Sequence, residues 1–342
     1  MKILLCFGTR PEWIKVKPVA DALKEAGIPF HTLKVKQHTT LLEDVDADWV
    51  MDIPTPTNNE VRRLDLLVSS IGYVPQEAFN TSTHILVQGD TATALVCAMA
   101  GFHRSIPVIH LEAGLRTYDA ENPYPEEIYR QMISRVASLH LCATTGNRTN
   151  IEKERVHGRI EVVGNTVLDN LNSLKANTEL GEEVLVTLHR RENHEIMDRW
   201  FVQISKLALA NPHLKFTIPL HPNPSVQKHR DKLVGVNVVE PLGYPEFLAR
   251  LAKSFMVISD SGGIQEECAF LGKRVLVCRT ETERPESLGK TSWLVQGPES
   301  LPDRYNSIKD TEVKPSFVFG DGLSSRRIAT ILKEMMDKPC QK

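Results

Sequence analysis

This sequence has a small net charge, no closely spaced cysteine pair and no long apolar run. The formal net charge is −2 over 342 residues, so bulk electrostatics favour neither nucleic acid nor a membrane surface as a partner. No apolar run is long enough to span a bilayer. The short apolar segment after Lys2 lacks the length and cleavage site of a signal peptide. The six cysteines form no Cys-x-x-Cys pair, which is typical of a reducing compartment. We therefore expect a cytoplasmic protein.

Several motifs of common chemistries are also missing. No Gly-x-Gly-x-x-Gly follows the first predicted strand, which argues against a nicotinamide dinucleotide site. Gly272-Lys273 lacks the upstream glycine of a phosphate-loop ATPase, and no Gly-x-Ser-x-Gly turn is present. The histidines are not spaced as metal ligands on a helix. We therefore predict neither a metal nor a cofactor.

Strand and helix patterns alternate along the whole chain. Apolar segments such as Lys2–Phe7 and Ile85–Gln88 are typical of buried strands, and each precedes a segment of helix-like composition. Further helices are predicted at Glu126–Ser138 and around Met197–Ala210. This alternation is typical of parallel sheets covered by helices. The pattern restarts after Gly164, and 342 residues are enough for two cores. We therefore predict an α/β fold with two Rossmann-like, doubly wound domains.

The domain boundary is predicted in the polar, strand-poor stretch between Gly164 and Glu182. It divides the chain into domains 1–167 and 168–323. A final helix near Ser325–Met336 has no strand after it, so the pattern allows this helix to pack on either domain. In doubly wound sheets, ligands bind beyond the carboxyl ends of the strands.

Two adjacent glycines, Gly262 and Gly263, follow a predicted strand and open a predicted helix. Glycine lets the backbone turn sharply and lets a ligand approach closely. The free N–H groups and positive dipole end of a helix favour an anion, above all a phosphate. The alternative is an ordinary strand–turn–helix junction, and the stretch from Ser261 to Gly263 alone does not decide between the two.

Charged or hydrogen-bonding residues follow nearly every predicted strand. In the first half these residues are Arg10, Lys15, Asp90, Glu112, Glu126 and Arg130, and in the second half His189 and His221. Each has an ordinary explanation: Asp90 suits a helix N-cap, and Glu126 and Arg130, four apart, suit a surface ion pair. Together they indicate a ligand-binding edge, because the fold brings the strand ends together.

Eight motifs occur in the order found in one known family. They are GTRPEWIK, GDTATA, HLEAGLRT, PEEIYR, HRREN, HPNP, SDSGGIQEE and TERPE. The chain thus resembles the non-hydrolysing UDP-N-acetylglucosamine 2-epimerases over nearly its whole length. The resemblance implies a GT-B-like fold with two Rossmann-like domains around a cleft. It also implies a homodimer, and a C-terminal helix, 324–342, that packs back on the first domain.

The resemblance also implies roles for individual residues. Those that look like phosphate-binding or catalytic residues are Arg10, Lys15, Arg130 and His189. Those that look like nucleotide-binding residues are Ser261, Gly262 and Gly263 for the diphosphate, Glu267 for the ribose, Leu242 and Phe247 for uracil, and Arg284 and His221 as further contacts. Two positions depart from the family. Gln88 stands where histidine is commoner, and Thr40 stands where members activated by UDP-GlcNAc often carry glutamine.

The implied reaction inverts carbon 2 of a UDP-2-acetamido sugar, such as UDP-GlcNAc or UDP-ManNAc. Loss of UDP would give a 2-acetamidoglucal, and UDP would then add back. The sugar-side acids would be Asp90, Glu112 and Glu126, and which of them is the base stays open. Three alternatives also stay open: a hydrolysing epimerase that releases free ManNAc and UDP, a non-catalytic nucleotide-sugar sensor, and a GT-B glycosyltransferase.

Overall fold

The computed structural model describes residues 1–36, 42–53, 63–174 and 180–337. The chain divides into two compact units. The first unit comprises Met1–Asp169 and the chain from Gly322 onward, and the second comprises Asn170–Asp321. The sequence-based boundaries, after residues 167 and 323, lie close to these limits. Thr40 and residues 338–342 lie outside the described residues. Within the described ranges, no helix combines the length and the apolar character needed to cross a membrane.

The first unit is built around a parallel sheet of seven described strands. Its elements are β1 (Ile3–Phe7), α1 (Arg10–Glu25), β2 (Phe30–Val35), β3 (Trp49–Met51), α2 (Arg63–Ser69), α3 (Gln76–Asn80), β4 (His84–Gln88), α4 (Ala92–His103), β5 (Val108–Ala113), α5 (Glu126–Val136), β6 (Ala137–Cys142), α6 (Thr145–Lys153), β7 (Arg159–Val162) and the last helix, α13 (Ser324–Asp337). The strand order is β3-β2-β1-β4-β5-β6-β7.

The second unit repeats this plan with a parallel sheet of six described strands. Helix α7 (Asp169–Leu174) spans the division between the units. The further elements are β8 (Glu183–Thr187), α8 (Met197–Ala210), β9 (Lys215–Pro219), α9 (Pro224–Gln227), β10 (Asn237–Val239), α10 (Tyr244–Lys253), β11 (Ser254–Ser259), α11 (Gly262–Leu271), β12 (Val275–Val277), β13 (Ser292–Leu294) and α12 (Leu301–Ile308). The strand order is β10-β9-β8-β11-β12-β13.

Burial of both sheet faces explains why the central strands are continuous apolar runs. Every residue of β1 is buried. Its alternate side chains enter different cores: Leu4 and Cys6 pack into one cluster, whereas Ile3 and Leu5 pack into another. A strand covered by helices on both faces needs apolar residues at every position. The predicted α/β class with two Rossmann-like sheets is confirmed.

Each sheet has a point where the strand order reverses. In the first unit β1 lies between β2 and β4, and in the second β8 lies between β9 and β11. Neighbouring loops at such a switch point leave the sheet in opposite directions and open a crevice for a ligand. The switch points therefore fall at the loops after β1 and β4, and at the loops after β8 and β11.

The last helix, α13, packs in the first unit. Its Ile328 and Leu332 are buried in the same cluster as Val19 and Leu23 of α1. The Asp169 carboxylate accepts hydrogen bonds from the backbone N–H groups at the start of α13, at 2.7–3.0 Å. These bonds satisfy N–H groups that the first turn of a helix leaves free.

One predicted helix end was wrong. The sequence pattern extends the fifth helix to Ser138, but α5 ends at Val136 and β6 starts at Ala137 without a connecting loop. The Ser138 hydroxyl donates to the Val108 carbonyl of β5. Pairing with β5 therefore overrides a composition that is compatible with helix.

Gly272, which ends α11, is expected to be intolerant of a side chain. Its φ is +65°, and a Cβ there would lie 2.8 Å from the Pro315 nitrogen. The Pro315 segment has little freedom to move, because the next N–H donates to Ala269 O at 2.7 Å. Gly272→Ala should lower the free energy of unfolding by about 2–4 kcal/mol, from left-handed strain plus overpacking. Gly289→Ala is the matched control.

Gly289 has a φ of +72°, but among the described residues nothing beyond its chain neighbours lies within 4 Å of the position that a Cβ would take there. Its replacement by alanine should therefore cost only the left-handed strain, about 1–2 kcal/mol. Urea unfolding followed by circular dichroism would compare the two variants. Equal losses would show that the contact with Pro315 is unimportant.

Candidate functional site

The two loops at the switch point of the first unit are tied together by one buried carboxylate. Glu12, in the first turn of α1, accepts from the Gly8 N–H at 2.9 Å and from the Thr91 hydroxyl at 2.6 Å. Gly8 follows β1 and Thr91 follows β4. Burial raises the pKa of Glu12, and the bond from Thr91 is the largest opposing effect. Glu12 therefore fixes the loops that carry Arg10 and Asp90.

Glu112 occupies a strained position at the end of β5. Its φ is +65°, and the pairing of β5 with β6 shifts register between Leu111 and Ala113. A non-glycine residue in the left-handed region costs about 1–3 kcal/mol and is kept where the surrounding structure enforces it. The unusual backbone sets the direction of the Glu112 side chain, and such strain is characteristic of functional sites.

The Glu112 carboxylate receives donors from three separate segments. Lys15 Nζ of α1 lies 2.5 Å from Oε2. Gln88 Nε2, at the end of β4, donates to the same oxygen. Asn165 Nδ2, in the loop after β7, donates to Oε1 at 2.9 Å. The structure therefore brings together Lys15 and Glu112, two of the predicted site residues.

A second charged cluster joins Asp90 to Arg130. Arg130 Nη2 donates to Asp90, and Nη1 donates to Glu127 Oε2 at 3.3 Å. Arg130 and Glu127 are buried, so this is not a surface ion pair. Glu126, the first residue of α5, is partly exposed. The sequence motif points to Glu126 as the helix partner of Arg130, whereas Glu127 makes the ion pair described here.

His110 supports the loop that carries Asp90. This fully buried residue of β5 donates its Nε2–H to the Gly89 carbonyl at 2.8 Å. Burial lowers the pKa of His110 to about 3, so the ring is neutral at physiological pH. Gly89 has a φ of +69°. The backbone immediately before Asp90 is thus held by a hydrogen bond within the sheet.

Arg10 begins α1 and lies on a more open part of the first unit. Its Nη1 pairs with Asp44 at 2.7 Å, and both side chains are at least one-third exposed. The hydrogen bond from Arg10 is the main cause of the lowered pKa of Asp44. Arg10 is therefore available to solvent at the switch point. Its ion pair is not with Glu12, which is buried against Gly8 and Thr91.

The second unit uses Asp260 as its own loop anchor. Asp260 follows β11, is completely buried, and accepts from the backbone N–H groups of His189 at 3.0 Å and Arg190 at 2.9 Å. Asn193 Nδ2 adds a bond at 3.0 Å. Asp260 therefore fixes the loop after β8 against the loop after β11.

His189 and His221, both predicted site residues, lie side by side. Their ring centroids are 5.5 Å apart, and the His189 side chain is 42% exposed. Its Nδ1 lies 3.9 Å from Asp260 Oδ1. The pKa of His221 is lowered by burial and, to a smaller extent, by His189. The pair offers two exposed imidazole rings beside the loop that Asp260 anchors.

The start of α11 combines free helix N–H groups with a cation. Ser261 is the N-cap, but its side chain makes no capping hydrogen bond, and its N–H donates to Ser259 Oγ at 3.0 Å. A Cβ at Gly262 would lie 2.4 Å from Arg284 Nη1, whereas a Cβ at Gly263 would meet open space. This arrangement suits a phosphate, because the first turn of a helix presents N–H groups and a positive dipole end.

Arg284 is held in place by buried carboxylates. Its Nε donates to Glu266, and its Nη1 donates to Glu283 at 2.6 Å. Glu283 also accepts from Arg279 Nη1 at 2.9 Å. Buried charges are stable only when paired and hydrogen-bonded. The network therefore keeps a guanidinium beside Gly262 in a nearly neutral environment.

The predicted ribose and uracil residues lie around the start of α10. Glu267, on α11, accepts from the Tyr244 hydroxyl at 2.7 Å. Burial, followed by the charge of Glu267, raises the pKa of Tyr244. Leu242 and Phe247 flank Tyr244 and are partly exposed. In the described part of the chain, no group of three His, Cys, Asp or Glu residues could hold a metal ion.

Sequence reasoning missed several residues that hold the site together. Asp260 and Glu266 stand inside the SDSGGIQEE motif, which would have been the signal for both. Gln88 stands directly before the GDT motif, and Asn165 follows Gly164 at a strand end. Apart from these positions at strand ends, nothing in the sequence predicts that Gln88 and Asn165 contact Glu112.

The two switch points define the class of protein. It is an α/β protein with two Rossmann-like units, of which one carries carboxylates and cations at its switch point and the other a helix N-terminus with a nearby guanidinium. The family model described as UDP-N-acetylglucosamine 2-epimerase matches residues 59–333.

Relatives of known name and structure agree with this match. The UDP-N-acetylglucosamine 2-epimerase of Neisseria meningitidis serogroup A is 36% identical, with 88% of each chain covered. The crystal structure of UDP-GlcNAc 2-epimerase from Neisseria meningitidis bound to UDP-GlcNAc superimposes with a TM-score of 0.86 at 33% identity. It covers 98% of this chain and all of that one. The Methanocaldococcus jannaschii enzyme in complex with UDP-GlcNAc and UDP gives a TM-score of 0.83 at 28% identity, over 98% and 100% of the two chains.

The chain belongs to the UDP-N-acetylglucosamine 2-epimerase family, and it is an enzyme of that family. The resemblance inferred from the eight motifs is thereby confirmed at the level of the UDP-N-acetylglucosamine 2-epimerase family.

His110 should make the first unit sensitive to acid. Its folded pKa, about 3, lies below its ordinary value of 6.5, so the unfolded chain binds the proton more readily. The stability from this group is present above pH 6.5 and is lost as the pH falls toward 3. His110→Gln keeps a donor for Gly89 and cannot titrate. Between pH 7 and 4.5, its free energy of unfolding should fall less than that of the wild type, by about 1 kcal/mol or more.

Urea unfolding at each pH measures this difference. The exposed His103→Gln is the control for loss of a histidine, and it should follow the wild-type pH dependence. If His110→Gln and the wild type lose stability in parallel, the buried ring does not titrate as described.

Proposed function

We propose that this enzyme interconverts UDP-GlcNAc and UDP-ManNAc, or a closely related pair of UDP-2-acetamido sugars, without net hydrolysis. The observation that carries the proposal is the division of charge between the units. The first unit holds acids at its switch point, where Glu112 is strained and hydrogen-bonded. The second unit holds a glycine-rich helix N-terminus beside Arg284. These are the two environments that departure of UDP from a sugar requires.

In this proposal the residues of the second unit bind the UDP part of the substrate. The leaving diphosphate gains negative charge, which the start of α11 at Ser261–Gly263 and the nearby Arg284 would stabilise. His189, partly exposed and anchored through its backbone by Asp260, is proposed as a further phosphate contact or proton donor. The partly exposed Leu242 and Phe247 are proposed to bind uracil, and Glu267 the ribose. His221 is a further contact.

In this proposal the residues of the first unit act on the sugar. The C2–H bond is poorly acidic until the C1–O bond to UDP loosens and the ring gains positive charge. The proton then leaves C2 for a carboxylate, the C1–O bond breaks, and 2-acetamidoglucal and UDP result. Re-addition returns the UDP oxygen to C1 and a proton to the opposite face of C2. Two faces need two proton-handling groups, for which Asp90, Glu112 and Glu126 are the candidates.

The first unit also carries cations. We propose Lys15, already bound to Glu112, and the solvent-accessible Arg10 as phosphate-binding residues. Arg130 would set the position of Asp90, with which it is paired. We also propose a homodimer, supported by the exposed apolar side chains of Ile128 and Met132, four residues apart on α5, and of Tyr124 just before the helix.

Hydrogen exchange at carbon 2 tests the proposed reaction. Incubation with UDP-GlcNAc in heavy water should give both UDP-sugar epimers with one deuterium at carbon 2, measured by NMR and mass spectrometry. Free ManNAc and UDP would instead indicate a hydrolysing enzyme, and unchanged substrate would indicate a sensor. Glu112→Gln should still bind UDP but lose turnover by about a hundredfold or more. Normal turnover would remove Glu112 from the mechanism.

Gly263→Ala tests the proposed diphosphate site. A Cβ there comes within 4 Å of nothing else among the described residues beyond its own stretch of helix, and alanine favours a helix over glycine by about 0.5–1 kcal/mol. The variant should therefore be at least as stable as the wild type. A methyl group in the space above the helix N-terminus should nevertheless weaken UDP binding by about tenfold, or 1.4 kcal/mol.

Titration calorimetry with UDP and thermal unfolding would measure these two effects. The exposed Gly72→Ala, which also meets no atom within 4 Å, is the control and should bind UDP as the wild type does. Unchanged UDP affinity in Gly263→Ala would place the diphosphate elsewhere.

A further inference from the structure

The surroundings of Glu112 contain two buried amides that the proposed mechanism has not used. Gln88 is 3% exposed and Asn165 is 2% exposed. Burying an amide is unfavourable unless its donors and acceptors find partners. Both side chains direct an N–H at the same carboxylate, one at each oxygen.

We propose that Gln88 and Asn165 are positioning residues that hold Glu112 as a carboxylate anion and fix both of its oxygens. This inference deepens the proposed function, and it rests on that function for its consequence in catalysis. The hydrogen bonds themselves can be tested without any activity.

The orientation of the Asn165 amide is set by the chain itself. Its Oδ1 accepts from the Val167 backbone N–H at 3.1 Å, which leaves Nδ2 to face Glu112 Oε1 at 2.9 Å. Asn165 therefore presents a donor, not an acceptor, to the carboxylate. Gln88 presents its Nε2 to Oε2, where Lys15 Nζ also donates.

A protonated Glu112 would fit these surroundings poorly. The acid form must place an O–H on one of its oxygens, but each oxygen already faces an N–H donor. Hydrogen bonds donated to a carboxylate favour its charged form. Among the described residues, the charged groups near Glu112 act in the same sense or are already balanced. Lys15 of α1 is paired with it, His110 of β5 is neutral because burial lowers its pKa to about 3, and Asp90 is paired with Arg130.

The consequence for catalysis concerns the acidic side of the pH profile. An anion is needed whether Glu112 accepts the proton or stabilises the positive charge on the sugar ring. With both amides in place, Glu112 should remain ionised throughout the working pH range. Some other group therefore sets the acidic limb of the wild-type rate.

The proposal can be tested by replacing each amide side chain with the carboxylic acid of the same shape. Gln88→Glu and Asn165→Asp put a second carboxylate against Glu112, and the pair must then share a proton. The matched control is Asn150→Asp, whose amide donates to a backbone carbonyl, Gly114 O at 3.0 Å. Thermal unfolding would identify a variant that fails to fold. The two test variants act on different oxygens of Glu112, so one folded variant is enough to test the proposal.

The first measurement is a ¹³C NMR pH titration of the glutamate carboxyls, with the Glu112 signal assigned by its absence in Glu112→Gln. In both test variants the Glu112 signal should titrate at least one pH unit higher than in the wild type, because a second carboxylate then faces it. In Asn150→Asp it should titrate as in the wild type. Equal titration midpoints in the wild type and both test variants would overturn the proposal.

The second measurement is the pH dependence of deuterium exchange at carbon 2. In Gln88→Glu and Asn165→Asp the acidic limb should move to higher pH, with a rate about tenfold lower than wild type on that limb and a smaller difference at pH 8. A uniform loss at every pH would indicate a merely structural role and would overturn the proposal. If the wild type exchanges no deuterium, the proposed function fails, and the NMR titration still decides whether the amides hold the anion.

Discussion

Buried carboxylates that bind the ends of parallel strands are the constraint on which both sites depend. Glu12 accepts from Gly8 after β1 and from Thr91 after β4. Asp260, after β11, accepts from the His189 and Arg190 backbone after β8. In each unit the carboxylate bridges the two strands where the order reverses. Loops that diverge at a switch point cannot pair with each other as strands do, so a side chain must supply the acceptors for their N–H groups.

A rigid strand edge then allows charges to be buried close to one another. Asp90, Arg130 and Glu127 form one group, and Arg284 lies between Glu266 and Glu283 in the other unit. Such pairs contribute little to stability, because desolvation offsets their attraction. Their value lies in geometry, since each ion fixes the position of its partner. The same logic explains the strained φ of Glu112, which is stabilised by three donors instead of by its own backbone preference.

The fold was predictable because apolar runs and strand-end residues are local signals. The pattern places α8 at its observed limits, Met197–Ala210, and it puts Asp90 and Glu112 at strand ends. The contacts were not predictable, because they join distant segments: Asn165 and Glu112 are 53 residues apart, and Asp260 and His189 are 71 apart. No propensity or spacing encodes such a pair. The end of α5 was missed for a related reason, since the pairing of β6 with β5 decides it.

The hydrogen bonds of Arg284 limit what it can do for a bound diphosphate. Its Nε and Nη1 are already directed at Glu266 and Glu283, and Arg279 shares Glu283. A phosphate that recruited these donors would have to displace a buried carboxylate, which would leave that charge uncompensated. The Ser261 N–H already donates to Ser259 Oγ, but the N–H groups of Gly262 and Gly263 make no capping bond to the Ser261 side chain. In the proposed site the helix N-terminus is therefore the principal anion-binding group, and the packing of Arg284 against Gly262 keeps a positive charge beside it.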